Sequence, residues 1–498
     1  MLVPWDLAGS MPYPLLRIHV ANSPRKVAQN RMTMTTQART IGELRESGYK
    51  VLSVKEEMRK NLIQKIRDGE NLFPGIIGYE ETVIPQIENA ILSGQDLIFL
   101  GERGQAKTRM ARSLVNLLDE VVPMIAGCEI NDSPYEPICR ACKDKVAEHG
   151  DAVEIAWLPR DRRYGEKLAT PDITISDLVG EVDPVRVAEG RYLSDELTIH
   201  YGMIPRTNRG IFCINELPDL AERIQVGLLN IMEERDVQIR GYKIRLPLDV
   251  YVVASANPED YTNRGRIITP LKDRVGSQIR THYPNDVEHE IQIMEAESNH
   301  YSTEGMDTIV PQFMKEVIAE VTQLARRSND ISQRSGVSVR VSVSNFENVL
   351  SNATRRALRL KERAVAPRVS DLSAIIASTT GKIELDAVGD VKEDRVVQKL
   401  VNAAVLRVFG EHFEQREFDQ LVAGFERGLS VQVGDDMSSM EYVNQLSKVG
   451  GLSKAIDKLN GRGNPATIAS SIEFILEGLH LNRRLNKEDV HGKVRYRR

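Results

Sequence analysis

An amine and a hydroxyl directly after a glycine-bearing turn are what a chelated phosphate chain needs, and residues 101–108 supply them: Gly101, Glu102, Arg103, Gly104, Gln105, Ala106, Lys107 and Thr108. In such a loop the backbone N–H groups converge on phosphate oxygens. Lys107 would reach the β- and γ-phosphates, and the Thr108 hydroxyl would bind Mg²⁺. The pattern departs from G-x-x-x-x-G-K-[ST] at Ala106, where the second glycine stands, and carries an extra glycine at Gly104. Two further stretches could complete the chemistry. Asn215-Glu216 ends the apolar run Ile211–Ile214. An acidic pair at that place directs Mg²⁺ with its first member and orients the attacking water with its second. Here Glu216 is acidic and Asn215 is neutral. Asn257, in S-A-N-P, ends a third apolar run and is placed to sense a γ-phosphate.

The elements needed to position these residues are legible as patterns. Leu97–Leu100, Ile211–Ile214 and Val250–Ala254 are continuous apolar runs, as expected of parallel strands buried on both faces. In open α/β sheets ligands gather at the carboxyl ends of strands, so Lys107/Thr108, Asn215/Glu216 and Asn257 are expected to converge. Helical spacing marks Lys55–Arg67, a stretch through Ile84, Ile87 and Ile91, the face Met110, Leu114, Leu117 and Leu118, and residues 222–235. Residues 236–247 alternate around Gly241-Tyr242 and read as a β-hairpin. Asp172–Asp183 reads as a strand and turn. Arg264, Arg266, Arg274 and Arg340 stand near the ends of these patterns, and Arg340 precedes a helix expected over Ser344–Arg363. The basic run on that helix (Arg355, Arg356, Arg359, Lys361, Arg363) reads as a solvated face, since no aromatic residues interleave to stack bases.

A chain of 498 residues exceeds one compact core, so several domains are expected. Charged residues make up 28% and hydrophobic residues 41%, with a formal charge of −5, which advertises neither nucleic acid nor an anionic membrane as partner. No apolar run is long enough to span a bilayer. The N-terminal stretch has no basic region ahead of its apolar part, so a cytoplasmic location is expected. Met32 and Met34 stand just before the first helical pattern, and translation is expected to start at one of them; an intact mass including Met1 would overturn that. Four cysteines in so long a chain make no disulfide framework. Cys139 and Cys142 are expected to be packed thiols on a helix rather than zinc ligands, because Cys128 lies eleven residues upstream and Cys213 falls in a buried strand.

The ordered set G-E-R-G-Q-A-K-T, G-E-V-D-P (Gly180–Pro184), R-G-I-F-C-I-N-E, S-A-N-P-E, P-L-K-D-R-V-G and G-V-S-V-R resembles the AAA+ ATPases, in the branch of magnesium-chelatase I subunits and MoxR-type ATPases. The resemblance covers roughly residues 74–385. It implies an α/β phosphate-loop NTPase core with a parallel sheet flanked by helices, followed by a helical lid and an appended, mainly helical C-terminal domain. The expected division is a poorly ordered extension over 1–50, the core over 51–283, the lid over 284–385 and the C-terminal domain over 386–498. Carried over residue by residue, Gly101 to Thr108 bind ATP, Thr108 and Asn215 lie at Mg²⁺, Glu216 polarises water, and Asn257 is the first sensor. Arg340 is the sensor arginine on the lid, and Arg274 is the finger reaching a neighbouring subunit's γ-phosphate. The family also implies a ring, usually hexameric, and a partner with a von Willebrand factor A-type domain.

Three functional readings follow: an ATPase that remodels or activates a partner protein, a nucleotide-dependent switch with little hydrolysis, and a ring acting on DNA. Only Arg240 and Lys243, near the hairpin tip, support the last. The neutral Asn215 predicts weakened Mg²⁺ affinity or slow turnover, since a hydrogen bond to a charged group is worth about 1.5–3 kcal/mol against about 1 for a neutral one.

Overall fold

The computed structural model describes residues 38–183, 185, 188, 196–233, 236–238, 245–257, 265–299, 305–333, 336–385, 392–446, 451–490 and 493–498. Five strands form its central sheet: β1 (Leu97–Leu100), β2 (Tyr164–Leu168), β3 (Gly210–Asn215), β4 (Val250–Ala256) and β5 (Ser277–Arg280). They run in the order β5-β1-β4-β3-β2, and every neighbouring pair is parallel. Successive side chains of a strand point to opposite faces, and these strands divide accordingly between two cores. Leu97, Phe99, Ile211, Cys213, Tyr251 and Val253 pack with helices α1 (Val54–Asp68), α2 (Val83–Leu92) and α3 (Lys107–Ser113). Ile98, Phe212, Ile214, Val252 and Ala254 face the other side, where they meet Ile224 and Leu228 of α4 (Glu222–Glu233). The apolar runs are continuous because both faces are covered.

The register brings the strand ends level. Leu100 pairs with Ala256, and Ala254 with Ile214. The residues that follow, Gly101, Asn257 and Glu216, therefore leave the sheet side by side. Strand β2 was not read from the sequence. Y-G-E-K-L carries four half-buried residues and an exposed Leu168 at the sheet edge, without the apolar run that marks the others. Its lead-in is tied down by Arg163, a buried guanidinium paired through two nitrogens with Glu57 of α1 at 2.6 and 2.7 Å. The basic cluster at 162–163 thus contributes one side chain to the interior.

Several expectations need correction. Residues 38–50 are not an extension: Ile41–Glu46 form a helix capped by Thr40, Ile41 and Leu44 are buried, and Ile41 N donates to Val153 O at 3.1 Å. Helix α3 is shorter than its apolar spacing implied and tightens after Ser113 into a 3₁₀ turn, Leu114–Leu117, which still buries Leu114 and Leu117. Within 172–183, Ile175–Val179 is a helix capped by Thr174, and only Gly180–Val182 is a strand, paired antiparallel with Ile199–Tyr201. The strands Asp236–Gln238 and Arg245–Pro247 pair as a hairpin would. Its tip, with Arg240, Gly241, Tyr242 and Lys243, lies outside the described residues, as do Met32, Met34 and Arg264.

The short helix α5 (Thr269–Arg274) leads into β5, and beyond the sheet the chain is mainly helical, with α6 (Gln312–Ala325), α7 (Arg340–Leu360), α8 (Glu393–His412) and α9 (Pro465–Leu481) its longest described helices. Helix α7 begins at Arg340 itself and ends at Leu360, with Lys361 in the left-handed region as its cap. Of the basic run, Arg356 is turned inward and paired with Asp371 at 2.9 Å, so the solvated face is Arg355, Arg359, Lys361 and Arg363. The expected boundary near 386 does not divide two cores. One apolar cluster runs from Ile291 to Tyr496, with Phe313 of α6 stacked on Phe474 of α9 at 4.6 Å between centroids. Buried Arg368 donates to Met437 O and Ser439 Oγ, both at 2.9 Å, stitching the two segments together. Strands Val431–Val433, Asn486–Val490 and Lys493–Arg497 add a small antiparallel sheet to this unit. Among the described residues no helix is long and apolar enough to cross a membrane.

Candidate functional site

The loop between β1 and α3 needs its glycines. A Cβ on Gly101 would fall 1.8 Å from Thr281 Oγ1 and 2.2 Å from Gln105 Oε1, atoms that themselves share a 2.6 Å hydrogen bond. Gly104 has φ +78°, and a Cβ there would lie 1.9 Å from Ser338 Oγ. Gln105 also accepts from Glu102 N at 3.0 Å, which holds the loop's curvature from inside. Tyr79 Oη donates to Gln105 O, at 3.1 Å, and Tyr283 Oη to Arg103 O, at 2.8 Å. Ala106 adopts the left-handed conformation, φ 56°, that a glycine takes at no steric cost. It shows that the position demands a positive φ and that alanine meets it, at a cost of about 1–2 kcal/mol.

From this loop a hydrogen-bonded line crosses the strand tips. Lys107, buried, donates through Nζ to Asn257 Oδ1 at 2.6 Å and to Glu102 O at 2.9 Å, and also to Gly101 O. Asn257 Nδ2 donates to Glu216 Oε2 at 2.9 Å. Glu216 is held with φ 55° and ψ 48°, an uncommon conformation for a non-glycine residue, and its N–H donates to Ser255 Oγ at 3.3 Å. Such strain at a strand tip persists only where the surroundings enforce it. Ser255 Oγ in turn donates to Asn215 Oδ1 at 3.2 Å, and Asn215 Nδ2 donates to Glu166 Oε1 at 2.6 Å. The expected convergence of Lys107, Glu216 and Asn257 is therefore in place.

Glu166 was not singled out by sequence, because its strand was not recognised. It sits on β2 beside β3, in register with Cys213, and its carboxylate also accepts from Arg112 of α3 through Nε at 2.7 Å and Nη2 at 3.0 Å. That pairing raises the Arg112 guanidinium above its ordinary value. Burial pushes the neighbouring Cys213 thiol up to about 12, so it stays protonated beside Asn215.

A cavity of about 1340 Å³ opens between the phosphate loop and the start of α7. Gly104 to Thr108, Glu216 and Arg340 line its polar side, and Ile76, Tyr79, Ile293, Val339 and Val343 its apolar side. A phosphate chain against the first group and a planar base against the second fit this division. The turn ahead of α7 touches the loop directly, since a Cβ on Gly336 would lie 2.3 Å from Glu102 Oε2 and 2.5 Å from Tyr283 Oη. Arg274 is elsewhere. It ends α5, donating to Pro270 O at 3.1 Å, just before β5, whose Ser277 pairs with Leu97 at the start of β1. The four residues of β1, about 13 Å of strand, separate that level from the phosphate loop.

The Sigma-54 interaction domain family matches residues 189–275. The chain is similar to the magnesium-chelatase 38 kDa subunit of Cereibacter sphaeroides, with 26% identity over 229 residues, 45% of this chain and 62% of the relative. It is similar to the magnesium-chelatase subunit ChlI homolog of Methanocaldococcus jannaschii, 26% identical over 235 residues, 45% of this chain and 58% of the relative. The magnesium-chelatase subunit ChlI of Nostoc sp. is 27% identical over 263 residues, 51% of this chain and 64% of the relative. The chain thus spans about three-fifths of the length of these relatives.

Proposed function

We propose that this chain, an AAA+ protein of the magnesium-chelatase I type, binds ATP with Mg²⁺ at residues 101–108 and hydrolyses it to remodel or activate a partner protein. The observation that carries the reading is the hydrogen-bonded line from Lys107 through Asn257 to Glu216, in which a polar sensor bridges a phosphate-directed ammonium and a carboxylate that both line one cavity. In the reaction, loop N–H groups and Lys107 hold the phosphates, and Thr108 is the residue to ligate Mg²⁺, which offsets charge on the transferring phosphoryl group. Glu216 accepts a hydrogen bond from the attacking water and aligns it. Asn257 holds Glu216 in place and reads the γ-phosphate. Arg340, on the first turn of α7, couples nucleotide to the lid.

Asn215 acquires a different role from the one its place in the sequence implied. Its amide nitrogen is committed to Glu166, so the negative charge at this edge is carried one strand over. An aspartate at 215 would set two carboxylates at hydrogen-bond distance with no proton to share. Asn215→Asp is therefore expected to lose about 1–3 kcal/mol of stability and to leave the Mg²⁺ requirement unimproved. The charge-swapped pair Glu166→Gln with Asn215→Asp should recover most of that loss. Thermal denaturation and a Mg²⁺ titration of ATPase activity check both; a single variant as stable as wild type with tighter Mg²⁺ use would contradict this role for Glu166.

The partner is to be found by trapping. The Glu216→Gln protein with ATP should retain a client protein that wild type releases after hydrolysis. Equal recovery by both proteins would instead favour a nucleotide-dependent switch. The relatives' names describe subunits of magnesium chelatase, which supports an assembly with further subunits. A ring of this chain, with Arg274 of one copy facing the nucleotide of the next, is the arrangement proposed.

A further inference from the structure

In the segment of chain between the phosphate loop and β2, three cysteines and an aspartate meet. Cys128, Asp132, Cys139 and Cys142, spaced C-x₃-D-x₆-C-x₂-C, place one ligand atom each within 4.8 Å of all the others. A metal held here would overturn the expectation that Cys139 and Cys142 are merely packed thiols. The chain between Cys128 and Cys139 doubles back, and Asp132 rather than a fourth cysteine completes the set. The geometry points to a structural zinc site, with three thiolates and one carboxylate oxygen as its ligands.

Three observations carry it. The first is the donor set: four ligand atoms of sulfur and oxygen at this mutual distance need only a small contraction to reach tetrahedral bonds of about 2.3 Å to sulfur and 2.0–2.2 Å to oxygen. The second is Asp132, fully buried, whose Oδ2 accepts from Ile138 N and Cys139 N at 3.2 and 3.0 Å while Oδ1 has no hydrogen-bond partner. A buried carboxylate oxygen left unpaired is costly, and a cation among the thiols offsets that cost. The third is the support of the sulfurs. Asp132 N donates to Cys128 Sγ at 3.3 Å, and Cys142 N to Cys139 Sγ at 3.4 Å, where Cys139 caps the helix Arg140–His149. Backbone N–H groups and a helix N-terminus favour thiolate over thiol.

The location gives the metal a purpose. The four residues lie between the paired strands Val121–Ile125 and Ile155–Pro159, in a segment that Asn131 and Asn208 join to the edge of the sheet domain. Cys139 and Cys142 are part of the core that covers one face of the sheet. Zinc here would pin the segment from 126 to 154 to the ATPase core, as a clamp on the fold and not as a reactant.

The test uses the full chain, purified under reducing conditions without chelator. Elemental analysis should find about one zinc per chain, released in step with titration of the thiols by an organomercurial. Cys139→Ser and Asp132→Asn should each carry below about a tenth of that zinc. Because these variants could fail to fold, wild type is also exchanged into Co²⁺, where tetrahedral thiolate ligation gives intense visible bands and a sulfur-to-metal charge-transfer band. Zinc with those bands supports the site. Iron in place of zinc, a disulfide between any two of the three cysteines, or metal-free protein that takes up no Co²⁺ overturns it.

Discussion

Replacing Arg274 with alanine is expected to lower ATP turnover by about 10³–10⁵-fold, the range set by a charge that stabilises phosphoryl transfer from across an interface. The geometry explains why the effect should come in trans. Arg274 stands at the start of β5, level with the start of β1, whereas the phosphate loop leaves the other end of β1. In the proposed ring its guanidinium would serve a neighbouring copy. ATP affinity should be retained, because Lys107, Thr108 and the loop N–H groups are untouched, and phosphate release measured beside equilibrium ATP binding separates the two effects. Wild-type turnover should also rise with protein concentration as assembly proceeds. Unchanged hydrolysis by Arg274→Ala would remove this residue from the reaction.

Glu216→Gln is the second large effect, about 10²–10⁴-fold in turnover, the usual contribution of a positioned acid–base group. Glutamine keeps the shape of the side chain and can still accept from Asn257 Nδ2, so the strand-tip line survives while the charge that orients water is lost. ATP should bind and stay bound. The two variants also test each other. In a mixed ring, an Arg274→Ala subunit keeps its own Glu216 and receives a finger from a Glu216→Gln neighbour. Mixing two inactive proteins should therefore restore part of the activity. A mixture as inactive as its components would place the finger on some other residue.

How much of this was readable without coordinates depended on the kind of signal each residue sends. Strands buried on both faces announce themselves, so β1, β3 and β4 and the residues at their tips, Lys107, Glu216 and Asn257, were legible. Strand β2 lies at the sheet edge with mixed polarity, which hid Glu166 and made Asn215 look like a simple defect in Mg²⁺ binding. Ala106 departs from the loop's glycine pattern, and its positive φ shows that the residue takes up glycine's conformation. The cysteine cluster escaped because its spacing is irregular: the fourth donor is an aspartate, and a turn, not a fixed repeat, closes the set. The boundary expected near 386 rested on where the family resemblance ends, which does not report that Phe313 and Phe474 would share a core.

The claim on which the rest depends is that ATP with Mg²⁺ binds at Lys107, and calorimetric titration of the full chain tests it directly. Wild type should bind Mg·ATP saturably. Lys107→Ala should weaken that binding by about 1.5–3 kcal/mol, roughly 10–150-fold, the worth of a hydrogen bond to a charged group. Equal affinity in the two proteins, or no binding by wild type, would contradict the account.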